Sequence, residues 1–262
     1  MQYIKFTSKE LQETRYDLWR KDYLPLLYKF LELENGKIAL DIGCGSGFFT
    51  RIIAAGMDGK VIGVDIDEDL LDEARKFGGK TEYFNRNIYN LEFSDNNFDI
   101  VTSHMVLCNL TDPKKAIIEM KRVSKDLVVA IEPCNSAGIR YYGDDKDLLE
   151  FGRLLDKARR GYDKLAEERG VDMDIGKRLP ALFFECGLRK IEVEGYLMIN
   201  HSGKSKSSRL SFELEKLKEA VPRYLKEEEF ERIKHLMKSK RKDFYGAVSA
   251  VPLFIVKGRK YG

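Results

Sequence analysis

Along residues 37–133 short apolar runs alternate with segments in which apolar residues return every three or four positions. KIALDIG (37–43), KVIGVDID (60–67), TEYFN (81–85), FDIVTSH (98–104) and DLVVAIEP (126–133) have the length of strands. Most are nearly continuous in apolar character, as a strand covered on both faces requires. Between them GFFTRIIAAG, DEDLLDEARKFG and DPKKAIIEMKRVS carry helical spacing, and Asp67 stands where a helix N-cap is needed. Strands alternating with helices of about ten residues imply βαβ units with right-handed crossovers, hence an α/β fold around a parallel sheet.

The flanks read differently. From Ser8 to Leu33 the spacing of Leu11, Trp19, Leu24, Leu27 and Phe30 is helical, with Pro25 as an expected break. After Pro133 a long charged helix is expected over Asp145 to Arg169 and a shorter one over DIGKRLPALFFECG (174–187). LRKIEVEGYLMI (188–199) supplies a sixth strand and VSAVPLFIVKGR (248–259) a seventh, with two charged helices between them that part near Pro222. The pattern predicts one domain over 1–262, with a Rossmann-like, seven-stranded, mostly parallel sheet and helices on both faces. Within it, 1–34 form an N-terminal helical cap, 35–135 a ligand-binding core, and 136–187 and 203–245 helical insertions. A separate lid at 136–187 is the alternative.

Composition narrows the class. With 43% hydrophobic and 34% charged residues, the chain reads as a soluble globular protein. Its longest apolar runs, Leu127 to Ile131 and Val251 to Val256, fall far short of the roughly 20 residues that span a bilayer. The segment MQYIKFTSKE lacks the apolar core of a signal peptide, so a cytoplasmic location and no membrane partner are expected. Cys44, Cys108, Cys134 and Cys186 are widely separated, with no CxxC pair, which argues against a metal site and a disulfide framework. Two glutamines beside 46 basic and 43 acidic residues give a thermophile-like balance. The charge is also uneven: 30 basic and 35 acidic residues stand before His201, 16 and 8 from His201 onward. Such asymmetry points towards a polyanionic partner.

The strongest chemical signal is DIGCGSG (41–47) between the first strand and first helix. A turn of this kind exposes backbone N–H groups at a helix N-terminus, and Gly43, Gly45 and Gly47 allow a ligand close approach around Cys44. A dinucleotide-binding turn needs a glycine at the sixth position to seat a pyrophosphate, and Phe48 stands there instead. Asp41 would repel a pyrophosphate but suits the α-ammonium of a zwitterionic amino acid. S-adenosylmethionine (SAM) carries that group, so SAM fits better than NAD. Asp65, at the end of the second strand, can accept both ribose hydroxyls. Ile66 beside it can cover an adenine face. After the third strand, Asn87 can bond the adenine edge and Ile88 offers its backbone N–H.

With LDIGCGSG, GVDID, LEFSDNNFDIV, SHMVLCNL and EMKRVS in order over about 100 residues, the chain resembles the UbiE-like (methyltransferase type 11) group of class I SAM methyltransferases. The resemblance implies SAM as cofactor and an N-terminal helix folded over it, which brings in Tyr16 and Trp19 as SAM or acceptor contacts, with a core aromatic stripe as the alternative. Two departures bear on the acceptor: Asn87-Ile88 replaces the group's usual Asp before Ala, and Lys125-Asp126 its Lys-Pro-Gly-Gly.

Methyl transfer from a sulfonium is an in-line displacement, so the acceptor should lie beyond the ends of strands four and five. Those ends offer Ser103, expected as a SAM contact, His104 as a general base, and Glu132 with Asn135 as acceptors that grip an amine N–H. His104 can equally be a packed histidine, and Glu132-Pro133 a structural pair. Cys108 and Cys134 are the lesser alternative as covalent nucleophiles: no proline precedes Cys108, while Cys134 does follow Pro133. For the acceptor, GKSKSSR (203–209) and KHLMKSKRKDFYG (234–246), with Tyr245 to stack on a base, favour an RNA nucleobase in ribosomal or transfer RNA. A small molecule such as a quinone precursor, lipid or amine is the alternative, favoured by the resemblance. The basic segment can also be a solvated helix face, because KEEEFERIKHLMKSK (226–240), which overlaps it, pairs Glu with Lys at i,i+4.

Overall fold

The computed structural model describes residues 24–201, 217–221, 223–239 and 248–261. In chain order the elements are α1 (Leu24–Phe30), β1 (Ile38–Ile42), α2 (Phe48–Gly56), β2 (Lys60–Asp65), α3 (Glu68–Lys76), β3 (Thr81–Asn85), β4 (Phe98–His104) and α4 (Pro113–Val123). They continue with β5 (Ser124–Pro133), β6 (Ile139–Tyr141), α5 (Lys146–Glu168), α6 (Leu179–Glu185), β7 (Arg189–His201), α7 (Glu227–Ser239) and β8 (Val248–Arg259). The described residues fall into two compact units: a sheet unit of residues 24–134, 174–196 and 253–261, and a helical unit of residues 135–173, 197–201, 217–221, 223–239 and 248–252.

In the sheet unit the strand order is β3-β2-β1-β4-β5-β8, with β7 paired to β8. The first five strands run parallel and β8 is antiparallel to β5. The apolar runs read from the sequence explain this arrangement. In β1, Ala39, Leu40 and Ile42 are buried, and Val128, Val129, Ala130 and Ile131 of β5 have no exposure at all. One face carries α4 and α6, whose Ile117, Met120, Leu182 and Phe183 join Leu40, Val101 and Val256 in one core. Thus the segment expected as a single insertion over 136–187 divides, and residues from Asp174 onward return to the sheet unit. α6 is short, but its Leu179, Leu182 and Phe183 are fully or nearly fully buried, which ties it to the sheet.

Local signals close the elements where the sequence indicates. Asp67 caps α3, its carboxylate accepting from the N–H groups of Asp69 (3.0 Å) and Leu70 (3.3 Å). Asp67→Ala should therefore cost about 1 kcal/mol in urea unfolding; an unchanged midpoint would show that the cap adds nothing. The break expected at Pro25 concerns a helix reaching back to Ser8, and residues 1–23 lie outside the described residues.

In the helical unit α5 packs on α7 through Phe151, Leu154, Leu155, Phe230, Ile233 and Leu236. Charged pairs flank that seam: Lys157 with Glu229 (2.6 Å), and Arg232 with Glu150 (2.7 Å) and Asp147 (3.2 Å). β6 pairs antiparallel with Val248–Ala250. It is an eighth strand beyond the seven expected, because three residues are too few to show a period of two.

Candidate functional site

The sheet's connectivity locates the site. From β1 the chain steps outward through β2 to β3, then returns to the far side of β1 for β4 and β5. Ile42 of β1 lies opposite Val64 on one side and Ser103 on the other. Loops leaving β1 and β4 therefore part in opposite directions, and this crevice beyond the strand ends is where open α/β sheets bind ligands.

The turn over residues 43–47 is built on backbone conformations that favour glycine. Gly43, Gly45 and Gly47 have φ of +66°, +53° and +74°. A Cβ on Gly43 would stand 2.4 Å from Val106 Cγ2, and one on Gly47 2.4 Å from the Tyr83 hydroxyl oxygen. The turn does not present an open row of N–H donors, as its sequence suggests. Cys44 donates to the Val64 carbonyl (3.0 Å), Gly45 to the Asp65 carboxylate (2.7 Å) and Gly47 to the Cys44 carbonyl (3.0 Å). It is a self-held cradle, suited to close approach more than to anion binding. The Cys44 side chain lies buried with Leu71, Ala74 and Tyr83, and burial, aided by Asp41 and Asp65, pushes its thiol pKa well up.

Asp41 is buried and faces inward. Its carboxylate accepts from the hydroxyls of Thr50 (2.7 Å) and Thr102 (3.3 Å), joining β1 to the first turn of α2 and to β4. Asp41, expected as the partner of an ammonium group, is tied to Thr50 and Thr102 beneath the cradle.

Asp65 is more accessible. One carboxylate oxygen accepts from Gly45 N–H and the other from Asp67 N–H (3.0 Å), which fixes its orientation and leaves further lone-pair positions. Burial raises its pKa, opposed by the hydrogen bonds from Asp67 and Gly45. Ile66 next to it is 50% exposed, an apolar surface beside a fixed carboxylate. Asn87 is exposed and its side-chain oxygen accepts from Tyr89 N–H (2.9 Å) in a tight turn that also holds Ile88. Ser46 Oγ and Ser103 Oγ are buried without a hydrogen-bond partner among the described residues, at the cradle and at the adjacent end of β4. A glycine cradle, an oriented carboxylate, an apolar neighbour and two orphaned hydroxyls fit a ligand with a ribose, a flat ring and an amino-acid tail.

Beyond β4 the picture departs from expectation. His104 is 3% exposed and stacks against Phe49, ring centroids 4.8 Å apart, so it is a packed histidine as much as a base. Glu132 has no exposure. Its carboxylate accepts from the backbone N–H groups of Val106 (2.9 Å), Leu107 (2.7 Å) and Cys108 (3.2 Å). Burial pushes its pKa up to about 7, against those hydrogen bonds. A carboxylate so enclosed does not grip an acceptor amine; the expectation for Glu132 is corrected on that ground. Asn135 belongs to the helical unit, where its carbonyl accepts from Gly138 N–H (3.1 Å). Tyr16 and Trp19 lie outside the described residues. Tyr83, Thr50 and Val106 were not legible as site residues, since a strand tyrosine, a helix threonine and a loop valine carry no motif.

Comparison with known proteins bears on this geometry. A family described as "Methyltransferase domain" matches residues 40–129. The chain is 32% identical over 210 residues to a demethylmenaquinone methyltransferase of Oceanobacillus iheyensis, covering 74% of this chain and 86% of that protein. It is 30% identical over 196 residues to the enzyme of that name from Staphylococcus carnosus, covering 70% and 78%. Among solved structures, phosphoethanolamine N-methyltransferase 2 of Haemonchus contortus in complex with S-adenosyl-L-methionine matches with a TM-score of 0.56 at 15% identity, over 99% of this chain and 58% of that one.

These relatives overturn the preference for RNA as partner, since the proteins that match most of the chain are named for a small-molecule acceptor. The physical reason the basic segment misled is partly visible. Lys234, which opens the second stretch, is paired with Glu231, and Arg232 just before that stretch with Glu150 and Asp147. Residues 203–209 and 240–246 of the basic stretches lie outside the described residues.

Proposed function

The chain belongs to the class I SAM-dependent methyltransferases of the UbiE-like group, and from that premise we propose that it methylates a small aromatic acceptor of the quinone-precursor class. The observation that carries the acceptor class is the likeness to demethylmenaquinone methyltransferases over 74% of the chain. No helix among the described residues is long and apolar enough to cross a membrane.

Bound SAM supplies an electrophilic methyl carbon on a sulfonium, so the protein's task is orientation and exclusion of water. Asp65 receives the ribose hydroxyls through lone pairs not used by Gly45 and Asp67. Ile66 covers the adenine, and Ser46 and Ser103 meet the amino-acid tail. Gly43 and Gly47 let the cofactor lie against the backbone, while Asp41, bonded to Thr50 and Thr102, keeps that backbone in place.

The acceptor's chemistry follows from the electrophile. An oxidised quinone ring is too electron-poor to attack a sulfonium. In a reduced ring the carbon beside a phenolic oxygen is nucleophilic. Transfer to that carbon would form the carbon–carbon bond as the sulfur–methyl bond broke, and the ring proton would then be lost to restore the aromatic ring. His104, packed on Phe49, is the nearest titratable side chain at the end of β4 in sequence, and its part in that proton loss is secondary to orientation.

Labelled methyl from SAM, offered with a cell extract separated into organic-soluble and aqueous fractions, tests the acceptor class. The label is expected in an organic-soluble aromatic product and only under reducing conditions. Label confined to the aqueous fraction would overturn the acceptor assignment while leaving the methyltransferase itself intact.

A further inference from the structure

Glu132 is a fully buried carboxylate that accepts from three backbone N–H groups of one turn. Burying such a group is costly unless its lone pairs are satisfied, and a neutral residue would fill the volume at lower cost. Its neighbours show what the carboxylate does. The ladder between β4 and β5 continues one step past His104, where Met105 N–H donates to the Ile131 carbonyl (2.8 Å). Met105 then takes a left-handed conformation, φ +57°, unfavourable for a residue with a side chain. The reversal turns the next three N–H groups onto Glu132. Asn109 completes the turn by donating its side-chain amide to the Met105 carbonyl (3.0 Å).

The same turn touches the cofactor cradle. Val106, whose N–H is held by Glu132, packs its methyl groups against Gly43 so closely that any Cβ there would collide with them. On its other side, the Glu132 backbone is covered by Gly176, where a Cβ would stand 2.6 Å from the Glu132 carbonyl oxygen. Glu132 itself has no exposure, so the hydrogen bonds of its carboxylate are not diluted by solvent. Glu132 has one connection running from β5, through the 105–109 turn, to the glycine turn that follows β1.

We infer that Glu132 is a positioning residue for methyl transfer: by clamping the N–H groups of Val106, Leu107 and Cys108, it holds the acceptor-side turn against the cofactor cradle. It touches neither cofactor nor acceptor and acts through Val106. The inference rests on the methyltransferase reading above, since the turn has an acceptor side only if the crevice holds a methyl donor.

The test compares Glu132→Gln, Glu132→Ala and Val106→Ala with the wild type. Amide hydrogen exchange in the protein without added SAM is the readout that needs no activity. In Glu132→Ala, protection of Val106, Leu107 and Cys108 should fall at least about tenfold, while Ile100 to Thr102 in β4 keep theirs. With SAM and a reduced quinone acceptor, kcat should fall about 100-fold, as a displacement of about 1 Å produces, with acceptor KM changed far less. Glu132→Gln retains an oxygen for Val106 and Leu107 and should recover most of that loss. Val106→Ala keeps the carboxylate and should still lower kcat, because the contact with Gly43 is gone.

Wild-type exchange at residues 106–108 in Glu132→Ala would overturn the inference. So would wild-type kcat in both Glu132→Ala and Val106→Ala. Should Glu132→Ala fail to fold, equal kcat in Glu132→Gln, Val106→Ala and the wild type would overturn it alone. A wild type that transfers no methyl to any acceptor would instead sink the functional reading and leave the exchange result to stand.

Discussion

Asp65→Ala should weaken SAM binding by about 100-fold, about 3 kcal/mol, while the protein stays folded. Two losses combine. The charge-assisted bonds from the ribose hydroxyls disappear, and each such bond to a charged group contributes about 1.5–3 kcal/mol. The N–H groups of Gly45 and Asp67 lose their acceptor as well, so the cradle and the loop before α3 are no longer tied together. Asp65→Asn should fall between wild type and alanine, because its amide can satisfy only one of the two backbone donors. Calorimetric titration decides the matter, and unchanged affinity in Asp65→Ala would remove the ribose from this carboxylate. Acid gives an independent check. Burial raises the Asp65 pKa, so its proton returns at a higher pH than for an ordinary aspartate. SAM affinity should begin to fall there as pH drops. The sign for stability is opposite: the folded state holds this proton more tightly than the unfolded state, so this group's contribution to stability rises as pH falls through that window.

Gly47→Ala should cost about 3 kcal/mol of stability and abolish measurable SAM binding. At φ +74° a left-handed alanine alone costs about 1–2 kcal/mol. The added methyl would also stand 2.4 Å from the Tyr83 hydroxyl oxygen and 2.8 Å from its Cζ. Tyr83 has little room to retreat, since its ring also lies against Gly63, where a Cβ would meet ring carbon Cδ1 at 2.7 Å. Tyr83→Phe in the same chain removes the nearest atom and should restore part of the stability, a coupling expected of residues in contact. Urea unfolding measures both. Gly47→Ala with wild-type stability would show that Tyr83 is not held beneath the cradle.

The contrast between these residues shows what a sequence can reveal. Gly43, Gly45, Gly47 and Asp65 are legible because their chemistry is local: a turn needs left-handed residues, and a carboxylate ends a strand beside it. The strands from β1 to β5 are legible for a similar reason, since burial on both faces leaves long apolar runs. Glu132 is different. Its partners lie 24 to 26 positions earlier, and only the parallel register of β4 and β5 brings them under its carboxylate. As a sequence element Glu-Pro suggests a catalytic grip; in the fold it is a clamp. The threonine partners of Asp41 on α2 and β4 likewise cannot be inferred from the motif. The acceptor was obscured by counting basic residues without their partners, and Arg232 alone is held by two carboxylates of α5.

Product analysis tests methyl transfer from SAM to a reduced small aromatic acceptor most directly. Purified protein is incubated with SAM and chemically reduced demethylmenaquinone, and both products are quantified by mass spectrometry. A C-methylated quinone and S-adenosylhomocysteine are expected in equal amounts, with neither formed when the acceptor is kept oxidised. Tight SAM binding with no S-adenosylhomocysteine from this or any other reduced aromatic acceptor would contradict it.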